Sequence, residues 1–171
     1  MNTTQQARLY VYAQFALLVA LFVWPNDKSG FGLLDFVFEI IGFLGFAGGA
    51  VLVIGALRQL FIESIPELPE DSKAKNKKAL QIVWPKPAED AKLLTSGLFR
   101  RMRHPIYTGL LLIGYGLGIG SGPVPHLFFA IALHVVLFNK AALEEKLLAE
   151  KFPEYPGYAA RTGRFFPRVE D

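Results

Sequence analysis

Apolar positions along this chain are clumped into runs instead of being spread at amphipathic spacing. The first, Leu9 to Trp24, is interrupted only by Gln14 and closed by Pro25, and its 16 residues would rise about 24 Å as a helix. It predicts a first membrane span. The leader carries only Arg8 as a basic residue and no small-x-small pattern follows Trp24, so the run reads as a retained span and not as a cleaved signal. The second run, Phe31 to Leu57, holds Asp35 and Glu39 and then 18 uncharged residues from Ile40, the clearest transmembrane signal in the chain. Its Gly42, Gly45, Gly48, Gly49 and Gly55 predict close approach of another helix. The third run, Ile106 to Phe138, has 33 residues without Asp, Glu, Lys or Arg, too many for one ordinary span. Gly118, Gly120, Gly122, Pro123 and Pro125 break it midway, which predicts a turn between two short, tilted antiparallel helices.

Composition agrees with a bilayer. Of 171 residues 52% are hydrophobic and 19% charged, against about 25% charged in ordinary soluble domains. The expected architecture is all-α and polytopic: about four transmembrane helices in a single membrane domain, 1–171, ending in a helical hairpin and a cytoplasmic tail. Within it, 1–62 would hold two N-terminal spans, 63–96 a cytoplasmic loop, and 97–171 the hairpin and tail. The absence of cysteine excludes disulfides, a thiolate nucleophile, cysteine-ligated metals and a palmitoyl anchor. A net charge of +3 does not indicate nucleic acid, because the basic residues follow the membrane: with four spans, seventeen of the 18 fall on one side. Positive residues favour the cytoplasmic side, so both termini are expected there, in a bacterial inner membrane or an endomembrane. In the polar connection, Lys73, Lys75, Lys77 and Lys78 are able to attract anionic headgroups at about 1 kcal/mol each. A solvated loop punctuated by Pro66, Pro69, Pro85 and Pro87 is the plainer account.

Two polar groupings flank the hairpin, Arg100-Arg101-Met102-Arg103-His104-Pro105 before it and Glu144-Glu145 after it. A hairpin returns to its starting face, so both meet at one surface. Pro105 suits a first helical turn, where backbone donors can receive an anionic group. Arg100 and Arg101 serve equally as topology anchors, whereas Arg103 and His104 are tied to the helix start. At 100° per residue, His134, Phe138, Ala141, Glu145, Leu148 and Phe152 share a face of the last long helix. Glu145 interrupts its apolar stripe and needs a partner: Arg103, a C-terminal arginine or a ligand ammonium. An ion pair pinning the tail to the hairpin is the structural alternative. Lys140 and Lys146 are expected to snorkel or face water. The tail, from Phe152 to Pro167, combines rings with Arg161 and Arg164 and is expected to fold back over the opening. Its Tyr155 and Tyr158 either stack on a base or face a cation, or form an interfacial belt. His126 and His134 read as structural. No metal site is expected, and there is no HExxH and no glycine-rich phosphate loop.

The segments Thr95-Ser96-Gly97-Leu98-Phe99 and Arg103-His104-Pro105-Ile106-Tyr107-Thr108-Gly109, the pair Glu144-Glu145, and the tail Tyr155, Tyr158, Arg164 and Pro167 resemble a known family. It is that of the integral membrane methyltransferases, which includes isoprenylcysteine carboxyl methyltransferases and phospholipid N-methyltransferases. The resemblance covers about residues 82 to 169, beginning at Trp84-Pro85-Lys86-Pro87, and the first two spans match in hydropathy only. It implies S-adenosylmethionine as cofactor, held on the cytoplasmic side by His104, Pro105, Tyr107, Gly109, Glu144, Glu145 and Tyr158. It further implies Arg103, Glu145 and Arg164 as catalytic residues and a lipid-like acceptor arriving from the bilayer, with membrane lipids as the only other partner. No nucleic acid or obligate protein partner is implied.

The implied chemistry is attack by an acceptor oxygen, nitrogen or sulfur on an activated methyl group, in which positioning and exclusion of water do most of the work. No obligatory base is required, although an amine or phenol would have to lose a proton, for which Glu145 or His104 are candidates. Leu110-Leu111-Leu112 stands where eukaryotic prenylcysteine enzymes tend to carry aromatic residues, which argues against a prenylated CaaX protein as substrate. Sterol reductases share parts of the C-terminal pattern, so NADPH-dependent reduction is the alternative activity. A non-catalytic protein retaining the pocket is the third.

Overall fold

A computed structural model describes residues 2–25, 33–64, 92–120 and 123–168. The chain is an all-helical, polytopic membrane protein: α1 (Thr3–Val23), α2 (Leu33–Ser64), a 3-10 turn (Gly97–Arg100), α3 (Pro105–Gly120), α4 (Pro123–Lys151) and the short α5 (Tyr155–Arg161). Among the described residues three helices, α1, α2 and α4, are long and apolar enough to cross a membrane, and α3 is a shorter apolar helix. Both N-terminal helices outrun their apolar runs. α1 begins at Thr3, where the Gln5 side chain accepts from the Asn2 backbone N–H at 3.2 Å and so satisfies one donor of the helix start. α2 continues through Arg58, Gln59 and Glu63 to Ser64, with Gln59 donating to Glu63 one turn on at 3.1 Å.

The helices neighbour one another in the order α2, α3, α4, α1, with α2 lying most extensively on α3. Glycine makes that contact possible. A Cβ on Gly49 would fall 2.5 Å from the Gly109 carbonyl oxygen, and one on Gly116 would fall 2.6 Å from that of Gly42. Gly45 packs in the same way on Gly116, while Gly48, also expected to allow close approach of a helix, has nothing within 4 Å. The hairpin turns where the breakers predicted, α3 ending at Gly120 and α4 starting at Pro123.

The core lies within the hairpin and against α1: Leu21, Tyr107, Leu111, Ala130, Leu133, Leu137 and Ala141, closed at one end by Phe165 of the tail. Outward, Phe15, Val19, Phe43, Val51, Phe128 and Ile131 stand exposed along α1, α2 and α4, a surface suited to acyl chains and not to water. The connection containing Lys73, Lys75, Lys77 and Lys78, the Trp84-Pro85-Lys86-Pro87 segment, Lys28 and Gly122 lie outside the described residues.

Candidate functional site

The site is assembled by three pieces of backbone. Gly97 adopts φ +51°, a left-handed conformation open to glycine at little cost, and turns the chain into the 3-10 segment. There the Gln59 side chain at the far end of α2 accepts from the Leu98 N–H at 3.0 Å. The chain then runs beside the tail: the N–H groups of Arg103 and His104 donate to the carbonyls of Gly163 and Arg164 at 2.8 and 3.0 Å, and the Gly163 N–H donates to Arg101 at 3.2 Å. Thr108 locks the junction, its hydroxyl donating to the carbonyls of Phe165 at 2.6 Å and His104 at 3.1 Å. The tail therefore folds back onto the start of α3, as its composition predicted.

Side chains from these pieces converge on the end of α4. Glu145 Oε1 accepts from Arg103 Nε at 2.9 Å, Arg164 Nε at 3.1 Å and His104 Nε2 at 3.2 Å, and its Oε2 accepts from Arg164 Nη2 at 2.6 Å. Arg103 also donates to the carbonyls of Ala159, at 2.9 Å, and Thr162. Glu145 thus meets both arginine partners that the sequence offered it. Glu144 is held differently: its Oε2 accepts from the Tyr107 hydroxyl at 2.8 Å, with His104 Nδ1 at 3.6 Å. His104 lies between the two carboxylates, stacked on Tyr107 with ring centroids 5.2 Å apart and planes 4° from parallel. Phe165 seals the inner side, with centroids 6.0 Å from His104, 6.4 Å from His134 and 6.2 Å from Phe138. The Arg164 guanidinium lies 5.1 Å from the Phe138 ring centre, a distance typical of cation–π contact.

The remaining sequence candidates take up packing positions. Pro105 is fully buried at the start of α3. Gly109 faces α2, where a Cβ would fall 2.6 Å from Val53 Cγ2. Tyr158 is buried and donates to the Phe99 carbonyl at 2.6 Å, pinning α5 to the 3-10 turn. Burial pushes its hydroxyl up to about 12, and burial likewise raises that of Tyr155, so both stay protonated at neutral pH. Tyr155 is buried with its hydroxyl unpartnered among the described residues. Arg100 and Arg101 are exposed and take no part in the cluster. His134, read as structural, is hydrogen-bonded through Nδ1 to the Tyr115 hydroxyl at 2.9 Å.

Lys140 corrects an expectation. Instead of snorkelling or facing water it is 1% exposed, donating to Gln14 Oε1 of α1 at 2.7 Å and lying 5.0 Å from the Tyr107 ring centre. Burial beside Gln14 replaces the water that a snorkelled ammonium would use. Lys146 is exposed. The signal was present in the sequence: Gln14 is the lone polar interruption of its run, and polar groups inside membrane helices tend to find one another.

The fold and cluster define a polytopic membrane protein with a charged, ring-lined site where the base of a helical hairpin meets its own tail. Residues 82–155, which contain the base of α3 and the carboxylate pair of α4, match the family model described as phospholipid methyltransferase. The chain is 39% identical to the cobalt-zinc-cadmium resistance protein CzcN of Cupriavidus metallidurans over 79 residues, 45% of this chain and 36% of that protein. It is 35% identical to the nickel-cobalt-cadmium resistance protein NccN of Alcaligenes xylosoxydans xylosoxydans over 83 residues, 47% of this chain and 38% of that one. It is 33% identical to the methanethiol S-methyltransferase of Pseudomonas deceptionensis over 94 residues, 54% of this chain and 35% of that one. The matched region spans little more than a third of the length of these curated relatives.

Proposed function

We propose that the protein transfers a methyl group from S-adenosylmethionine to a lipophilic or amphiphilic acceptor at the cytoplasmic face of the membrane. The observation that carries this reading is the asymmetry of the paired carboxylates. Glu145 is committed to two guanidinium groups and an imidazole, whereas Glu144 keeps Oε1 without a hydrogen-bond partner among the described residues. An available carboxylate oxygen, an unpartnered buried Tyr155 hydroxyl and the partly exposed Arg164 form a donor and acceptor set that fits a ligand bearing an ammonium, a carboxylate and a sulfonium. The cofactor supplies a methyl carbon on a sulfonium, which leaves as a neutral thioether when the acceptor's lone pair forms the new bond.

The protein's part is to hold and to exclude. Glu144 receives the ammonium, and Glu145 fixes Arg103 and Arg164 so that Arg164 is able to orient the acceptor or the cofactor carboxylate. Pro105, Gly109 and Tyr158 act at one remove, by setting the base of α3 against α2 and the tail. His104, Tyr107 and Phe165 wall the site with rings and keep water from competing for the methyl group. An acceptor that must lose a proton would give it to His104, since Glu145 is already committed. A relative named for methanethiol S-methylation supports including sulfur nucleophiles among the acceptors. The bias of basic residues supports the cytoplasmic placement.

Equilibrium titration of the purified protein in lipid nanodiscs tests the reading. Saturable binding of S-adenosylmethionine is expected, weakened at least tenfold by Glu144→Gln, as the loss of a charge-assisted hydrogen bond worth about 1.5 to 3 kcal/mol implies. Saturable binding of NADPH instead would move the protein to the reductases, and binding of neither would overturn the enzymatic reading.

A further inference from the structure

The buried polar pair left unused by this chemistry is Gln14 and Lys140. Lys140 stands four residues before Glu144 on α4, a spacing at which side chains on a helix reach one another. Yet its ammonium is not paired with Glu144. No carboxylate of the described residues lies within 4.0 Å of it. It is turned to Gln14 Oε1, 2.7 Å away on a helix 126 residues distant in sequence, and rests near the face of the Tyr107 ring. Its hydrogen bond is instead to an amide oxygen of α1, a charge-assisted bond that takes the ammonium across to another helix.

We propose that Gln14 is a positioning residue which holds Lys140 away from Glu144 and thereby keeps the carboxylate open for a cationic ligand, making α1 a working part of the site. The inference rests on the transferase reading for the identity of that ligand. It assigns a role to a helix outside the family-matched segment 82–155. Tyr107 completes the arrangement: its ring bears on the ammonium while its hydroxyl occupies Glu144 Oε2, so Oε1 is the atom that remains for the ligand. Without the amide, Lys140 would swing along its own helix and close Glu144 as an internal ion pair.

Four proteins in nanodiscs test this: wild type, Gln14→Leu, Gln14→Glu and the double variant Gln14→Leu with Lys140→Met. Gln14→Leu is expected to weaken S-adenosylmethionine binding about tenfold, and Gln14→Glu, which retains an oxygen for Lys140, less than threefold. The double variant should recover most of the loss, because the competing ammonium is gone; a merely structural role for the pair would make it worse than the single variant. A ligand-free readout runs in parallel. Carbodiimide labelling of Glu144, followed by mass spectrometry of the peptide, should fall in Gln14→Leu and return in the double variant. Unchanged binding in Gln14→Leu, or a double variant no better than the single one, would overturn the inference. If wild type binds no S-adenosylmethionine the transferase reading fails, and the labelling pattern alone then decides the inference: the same fall and recovery sustain it, and equal labelling in all four proteins sinks it.

Discussion

Arg103 and Glu145, forty-two residues apart, are joined Nε to Oε1 at 2.9 Å, and the same carboxylate holds Arg164 of the tail through both of its oxygens. One side chain thus ties the start of α3, the end of α4 and the tail into a single unit. Glu145→Ala would leave two guanidinium groups facing each other without an intervening anion. Breaking a fully buried pair costs about 3 to 5 kcal/mol, and partial exposure of the cluster reduces that to about 2 kcal/mol, or about 4 to 8 °C for a chain of this size. Glu144→Ala, which removes the acceptor of Tyr107 and a more distant neighbour of His104, should cost less than half as much. Thermal unfolding of both variants in one detergent measures this, and equal shifts would refute Glu145 as the hub.

The glycines of α2 and α3 make a second prediction with its own control. A side chain at Gly116 would collide with the Gly42 carbonyl and the Phe46 backbone N, each 2.6 Å from its Cβ, and neither can move without displacing a helix. Gly116→Val should destabilise the protein by about 1 to 3 kcal/mol and weaken cofactor binding by tilting α3, whose first turn carries the site. Gly48→Ala meets nothing within 4 Å and should leave both properties within error of wild type. Loss of stability in Gly48→Ala equal to that in Gly116→Val would show that α2 and α3 pack on another face.

Patterning predicts the spans and the break between the two hairpin helices, and it offers Arg103 and a C-terminal arginine among the partners of Glu145, because each follows from local signals and a hairpin's return to its starting face. The side of the cluster that each carboxylate serves was not legible. Glu144 and Glu145 differ by 100° around a helix, and which of them meets the arginines depends on the rotation of α4, a tertiary quantity. Gly109 and Tyr158, which the resemblance assigns to the cofactor site, have Val53 of α2 and the Phe99 carbonyl as neighbours. Neither contact leaves a trace in nearby sequence. Lys140 differs: its partner on α1, Gln14, stands out as the lone polar residue of its run, but only pairing across helices joins the two.

Topology yields a third prediction. Seventeen of 18 basic residues share a side if the chain crosses four times, so the connections near Lys28 and Leu80 should lie on opposite sides and both termini on the side of Leu80. The chain has no cysteine, which makes single cysteines at these two positions unambiguous targets for a membrane-impermeant maleimide in oriented vesicles. Labelling of both from the same side would reject the four-span arrangement, and with it the placement of the Arg103–Glu145 cluster at the cytoplasmic surface.

The fourth prediction concerns how the acceptor arrives. Phe138 is exposed on α4 among other apolar side chains, while the Arg164 guanidinium lies near its ring; a molecule moving along the lipid-facing side of α4 therefore meets an aromatic surface and then the charged cluster. Leu112 is exposed on α3, whereas Leu111 is buried. An amphiphile should accordingly enter sideways, its chain in the bilayer and its nucleophile beside Arg164. Each methylene transferred from water contributes about 0.8 kcal/mol, so removing four carbons forfeits about 3 kcal/mol if the chain starts in water, and much less if it is already dissolved in lipid. The informative comparison is made at equal concentration within the bilayer, where long and short acceptors should still differ in turnover through their fit to Phe138. Arg164→Ala should lower turnover at least tenfold while changing S-adenosylmethionine affinity less, since Glu144 and Tyr155 remain. Phe138→Ala should raise the KM of the long acceptor more than that of the short one. If short water-soluble acceptors and their long-chain counterparts react equally well under these conditions, access is from the aqueous side and lateral delivery is wrong, whatever the outcome of cofactor binding.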